Sequence, residues 1–183
     1  KGQKMKTFDK KQQKIATYAA RTAVGDLEML RKELAAGLDA GLTVNEIKEV
    51  LVQMYAYCGF PSSLQGLNSF IAVIDERKAL GINVTEGPQA SPITDARDRY
   101  ARGKATLRQL TGVDEGAPAG ANAFAPAIDV FLKEHLFADI FERDVLEFHQ
   151  RELATISALA AMTGVEPMLR SHVNRGRNTG LSD

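Results

Sequence analysis

Residues 12–43 read QQKIATYAARTAVGDLEMLRKELAAGLDAGLT, and residues 150–182 read QRELATISALAAMTGVEPMLRSHVNRGRNTGLS. The two stretches keep the same landmarks. Ala16-Thr17 answers to Ala154-Thr155, Leu30-Arg31 to Leu169-Arg170, and Gly41-Leu42 to Gly180-Leu181. One residue inserted near Gly164 accounts for the change of register between the first pair and the others. Any two helix–turn–helix segments share leucines and a terminal glycine. The retained Ala-Thr, Leu-Arg and Gly-Leu pairs favour duplication of one helical hairpin. A lone hairpin cannot bury both of its faces, so the copies must pack together or onto a second chain.

Outward from these stretches the apolar period stays helical. Phe8, Ile15, Tyr18, Ala19 and Thr22 make one stripe. Asp26 can cap a second helix with Leu27, Leu30, Leu34 and Leu38 on one face, stopped by Gly41. Thr43 with Glu46 three residues on forms a capping box. It opens a third helix whose buried face is Ile47, Val50, Leu51 and Met54. That helix ends at Cys58-Gly59, and Pro61 suits the first turn of a fourth, running to about Leu80. Residues 81–92 and 112–123 are Gly/Pro/Ala-rich connectors around a more polar helix at about 93–111. Further helices are expected at about 124–138, 141–163 and 166–178. Only Ile82–Thr85 could be a strand, and it is too short for a sheet. The expected class is all-α. Its expected parts are a first repeat over 1–80, a connector with extra helices over 81–140, and a shorter second repeat over 141–183. Because the second copy stops soon after its Gly-Leu-Ser, a neighbouring subunit is expected to complete it.

Composition narrows the function. The 183 residues carry 23 basic and 23 acidic side chains, and 44% are apolar. That is globular composition with no basic stripe for nucleic acid. Lys1, Lys4, Lys6, Lys10, Lys11 and Lys14 read as a solvated, frayed start. The single cysteine, Cys58, excludes an intrachain disulfide. No apolar run is long enough to span a bilayer and no secretion signal is visible. The expected location is therefore the cytoplasm, a removed signal aside.

The run Gly41-Leu-Thr-Val-Asn-Glu-Ile-Lys-Glu-Val with Tyr55-Ala-Tyr-Cys-Gly-Phe-Pro61 resembles the core signature of the carboxymuconolactone decarboxylase family. So do Arg151-Glu152-Leu-Ala-Thr, Leu169-Arg-Ser-His172 and Asn178-Thr-Gly-Leu181. The blocks cover about half the chain, at both ends, and the middle is unmatched. The resemblance implies an alkylhydroperoxidase D-like helical bundle, assembling as a homo-trimer or homo-hexamer. It implies either decarboxylation of a lactone from aromatic catabolism or peroxiredoxin-like reduction of hydroperoxides. The peroxidase branch uses a Cys-x-x-Cys pair, and here Cys58 has no resolving partner.

Glu152 and His172 stand at similar distances either side of the turn at Gly164, so antiparallel helices bring them level. A carboxylate orienting an imidazole is an acid–base arrangement; a surface glutamate and a structural histidine are the alternative. His172 is the expected acid and Glu152 its orienter. Arg151 and Arg170, with Arg175 and Arg177 nearby, could hold substrate carboxylates. Tyr57, Cys58 and Gly59, at a helix break, are expected to line the substrate, although Tyr57 could simply pack and Cys58 reads more readily as a small buried hydrophobe. Lactone decarboxylation needs no cofactor, since the ring carbonyl can accept the electron pair. His149 with Glu152 is at most half of a metal site, so no metal is expected. His135 reads as a helix-dipole partner.

Overall fold

A computed structural model of the chain describes residues 7–183. Lys1, Lys4 and Lys6 lie outside them. The helices are α1 Lys10–Val24, α2 Leu27–Asp39, α3 Val44–Gln53, α4 Tyr55–Cys58, α5 Phe60–Ala79, α6 Arg99–Thr111, α7 Ala121–Phe124 and α8 Pro126–Val130. A π-helix follows at Phe131–Ile140, then α9 Phe148–Ala161 and α10 Glu166–Asn178. No strand occurs among the described residues. The all-α class holds.

The chain forms two compact units. One joins the chain up to Gln89 with Val145–Asp183, and the other is Ala90–Asp144. In the first, α1 lies along α9, with α2 and α10 packed on their own hairpin partners. Fully buried Ala19, Ala154 and Ala158 leave room for close helix approach, and Ile15, Tyr18, Leu30, Leu34, Ile47 and Leu51 fill the core around them. Asp26 and Thr43 cap α2 and α3, the latter through a full capping box with Glu46. The possible strand is instead a cap: the Thr85 and Glu86 carbonyls accept the Val44 and Asn45 N–H groups, each at 2.9 Å. These bonds satisfy donors at the start of α3 that no helix can pair internally, and they tie 85–87 to the first unit.

The two hairpins make similar contacts at aligned positions. A Cβ on Gly37 would lie 1.5 Å from the Tyr18 hydroxyl and 3.3 Å from Leu42. A Cβ on Gly176 would lie 2.9 Å from both Ile156 and Leu181. Tyr18, Gly37 and Leu42 align with Ile156, Gly176 and Leu181 in the register of the duplication. The Leu42 and Leu181 N–H groups return to the Gly37 and Gly176 carbonyls, each at 3.0 Å. Gly37→Ala should therefore cost about 1–3 kcal/mol of stability by overpacking, despite alanine's better helix propensity. Urea unfolding reads the loss, and an unchanged midpoint would mean that Tyr18 relaxes freely.

In the second unit α6 packs on the π-helix so closely that a Gly103 Cβ would lie 1.9 Å from the Lys133 carbonyl oxygen. Buried Lys133 pairs with Asp129 and with Glu115 at 2.8 Å, and Asp129 also accepts from Tyr100 and Asn122. The cluster is a satisfied buried ion network.

Several sequence boundaries are corrected. Phe8 precedes the Asp9 cap and is not on α1. The helix expected from 93 starts at Arg99, because Asp98 caps it while Asp95 binds Arg97 in a turn before it. The segment from 124 breaks at Ala125 and then widens into the π-helix, seen in the Phe141 N–H bond to Leu136 O at 3.0 Å. The helix expected from 141 begins at Phe148, after the Glu147–Gln150 capping box.

Candidate active site

The site belongs to the first unit. Glu152, on α9, is fully buried, and His172, on α10, is 7% exposed. Their helices descend from the turn at Gly164 and bring His172 Nδ1 to 2.6 Å from Glu152 Oε2. Nδ1 is thus occupied, and the nitrogen left for chemistry is Nε2. Glu152 Oε1 is buried without a hydrogen-bond partner, a costly condition that a ligand or water would relieve. The first copy holds Lys14 and Glu33 at the corresponding positions, and they too meet, at 2.5 Å. The same positions of the two hairpins are thus in contact, with different chemistry.

Tyr57 stands edge-on to His172, ring centres 6.1 Å apart and planes at 88°. It is placed by the one-turn α4, which continues α3 after Met54 and ends at Gly59. Gly59 has φ +88°, a region disfavoured for L side chains, and this turns the chain into α5. Burial pushes the Tyr57 phenol well above its ordinary range, opposed by a hydrogen bond from Thr155. The phenol therefore stays neutral at physiological pH.

A chain of polar groups runs behind Tyr57. Arg151 is fully buried and donates to Glu49 at 2.9 Å and to Gln53 Oε1 at 3.0 Å. Gln53 Nε2 donates to the Arg151 carbonyl and to Thr155 Oγ1, both at 3.0 Å. Thr155 Oγ1 lies 2.8 Å from the Tyr57 hydroxyl. Glu49, Gln53 and Thr155 were missed by sequence reasoning. Glu49 and Gln53 sit four residues apart within the buried part of α3, and that polar pair inside an apolar face was the available signal.

The other expected residues are scattered. Arg170 is exposed, two positions before buried His172 and hence on the opposite side of α10. Arg175 is half-buried, one turn after His172, and its charge acts on the Tyr57 phenol. Arg177 pairs with Asp183. Cys58 is half-buried, donates its thiol to the Met54 carbonyl at 3.0 Å, and is pushed up by burial. His149 meets Glu147 at 3.1 Å, and His135 meets Asp139 at 2.9 Å. Among the described residues no three His, Cys, Asp or Glu side chains are grouped to hold a metal ion. Nor is any helix there long and apolar enough to cross a membrane.

Two helical hairpins, one of them holding a buried imidazole–carboxylate couple, define an all-helical protein. Residues 3–71 match the family model described as Carboxymuconolactone decarboxylase family, which supports the resemblance read from the sequence over that segment. Members of that family are decarboxylases or peroxidase-like enzymes. The matched segment contains Glu49, Gln53 and Tyr57; Glu152 and His172 lie beyond it. Comparison with curated proteins gives no match.

Proposed function

We propose that the protein is a cofactor-free decarboxylase of a carboxylated lactone or a similar small ring, with His172 as proton donor and Glu152 as its orienter. The buried contact of 2.6 Å between them carries the reading. In the reaction the bond from the ring to the carboxylate carbon breaks, and its electron pair moves into the conjugated lactone carbonyl as carbon dioxide leaves. The resulting enolate takes a proton at carbon from His172 Nε2, and solvent restores that proton. Glu152 stabilises the imidazolium that donates it. Arg175, on the same face of α10 as His172, is the cation best placed for a substrate carboxylate. Carbon dioxide release from a panel of carboxylated lactones tests the reading. Tight binding with no release from any of them would favour a ligand-binding module that kept only the scaffold.

The alternative, a hydroperoxide reductase using Cys58 and an external thiol, is disfavoured by a thiol held protonated. Cys58→Ser should leave peroxide consumption unchanged; its loss would revive that alternative.

Self-association into a trimer or hexamer belongs to the same reading. Phe60, Leu64 and Ile71 on α5 are each more than half exposed, and Leu67 and Ile74 continue the stripe at heptad spacing. Phe70 and Val73, about 100° around α5 from that stripe, already fill the core, and Leu67 and Ile74 at the inner edge of the stripe pack against it. A second copy offering the same stripe would cover it. Ile71→Lys should lower the mass seen by sedimentation, and an unchanged mass would place the interface elsewhere.

A further inference from the structure

We infer that Tyr57 is an oriented hydrogen-bond donor to the ligand oxygen on which negative charge collects, its hydrogen turned into the site by a one-way relay from Arg151 through Gln53 and Thr155. The inference deepens the decarboxylase reading and rests on it for the identity of that oxygen. The direction follows from donor and acceptor counting. Arg151 has only donors, so the Gln53 atom it meets at 3.0 Å must be the carbonyl oxygen. This fixes the Gln53 amide group, whose nitrogen then donates to Thr155 Oγ1 at 3.0 Å. The same nitrogen donates to the Arg151 carbonyl, the acceptor a helical threonine would otherwise use. The Thr155 hydrogen is left with the Tyr57 oxygen, 2.8 Å away. Tyr57 therefore receives a hydrogen bond through its oxygen, and its own hydrogen points away from the relay. Glu49 anchors the far end, at 2.9 Å from Arg151.

A neutral phenol that already accepts one hydrogen bond is a stronger donor of its own hydrogen, because successive bonds polarise one another. Placed edge-on to His172, it lies beside the group that delivers the proton. Oxygen stabilisation and proton delivery are thus assigned to different helices, α4 and α10. On this account Tyr57 touches substrate. Arg151, Gln53 and Thr155 are positioning residues that act through it.

The test needs no knowledge of the natural substrate. In the 183-residue chain, 3-fluorotyrosine is placed at position 57 alone, and its ionisation is followed by fluorine NMR. Fluorination makes the phenol more acidic and brings its titration within reach. Thr155→Val should raise the midpoint by about one to two units, because the phenolate loses a donor. Thr155→Ser should leave it in place. A midpoint that falls with Thr155→Val would mean that Tyr57 donates to Thr155, and no change would mean that the bond is absent; either overturns the relay. With a lactone that is turned over, Tyr57→Phe should lower kcat on the order of 10²-fold with little change in KM. Thr155→Val should give part of that loss, and Thr155→Ser should restore the rate. Full turnover by Tyr57→Phe while His172→Ala is inactive would overturn the donor role and leave the decarboxylase reading intact. Unaltered turnover by His172→Ala would remove His172 as the proton donor of that reading, and the fluorine titration would still decide the relay.

Discussion

His172→Ala is expected to lower turnover of a carboxylated lactone on the order of 10²- to 10⁴-fold, the usual contribution of a positioned acid. The side chain removed is the one ring in the first unit whose Nδ1 is held by a buried carboxylate among the described residues. Its loss strands Glu152, whose Oε1 already lacks a partner, so some stability goes with it. Two further measurements separate the effects. Thermal unfolding reports the structural cost. His172→Gln keeps a hydrogen-bonding group in that space without an acid of suitable strength. If both variants lose turnover alike while His172→Gln keeps most of the stability, the loss is chemical. If turnover survives in both, His172 is a structural histidine and the acid lies elsewhere. Glu152→Gln should give a smaller fall, because the amide can still hold the ring but cannot stabilise its charge.

Arg151→Met is expected to cost about 3–5 kcal/mol of folding stability, the usual penalty for breaking a buried ion pair from one side. Arg151 is 0% exposed and Glu49 6% exposed. Methionine leaves the Glu49 carboxylate buried without its cation and the Gln53 amide group without its anchor. Adding Glu49→Gln should recover part of the loss, since the stranded charge is then gone. The coupling between the two sites, read from urea unfolding of both single variants and the double, should exceed about 1 kcal/mol for groups in direct contact. A single variant within about 0.5 kcal/mol of the parent would mean that water enters and solvates Glu49, and that the pair is not sealed. This behaviour would also separate Arg151 from a substrate-binding arginine, whose removal would leave folding stability nearly unchanged and raise KM.

How far these features were legible follows from the range of the forces behind them. The capping box at Thr43, the cap at Asp26 and the span of α10 depend on residues within one turn, and their signals survive in a linear reading. The late start of α6 was missed because Pro92 and two candidate caps, Asp95 and Asp98, crowd one segment, and pairing with Arg97 takes Asp95 out of the competition. The π-helix was missed because Leu136, Phe137, Ala138, Ile140 and Phe141 are all buried. With Leu136, Phe137 and Ala138 buried in succession, the apolar residues follow no clean period from which to tell a wider turn from an ordinary one.

For the site, the sequence itself was enough to nominate the Glu152–His172 couple. Residue spacing about a turn sets the level of two antiparallel helices, and a duplicated pattern marks which positions face each other. Arg151 could not be placed that way. Adjacent in sequence to Glu152, it points about 100° away around α9, and only the packing of α3 against that helix decides that it meets Glu49 and Gln53. The relay to Tyr57 joins residues separated by 98 and 102 positions. No local period encodes contacts at that separation; they exist because the core, once closed, must pair every polar group it has taken from water.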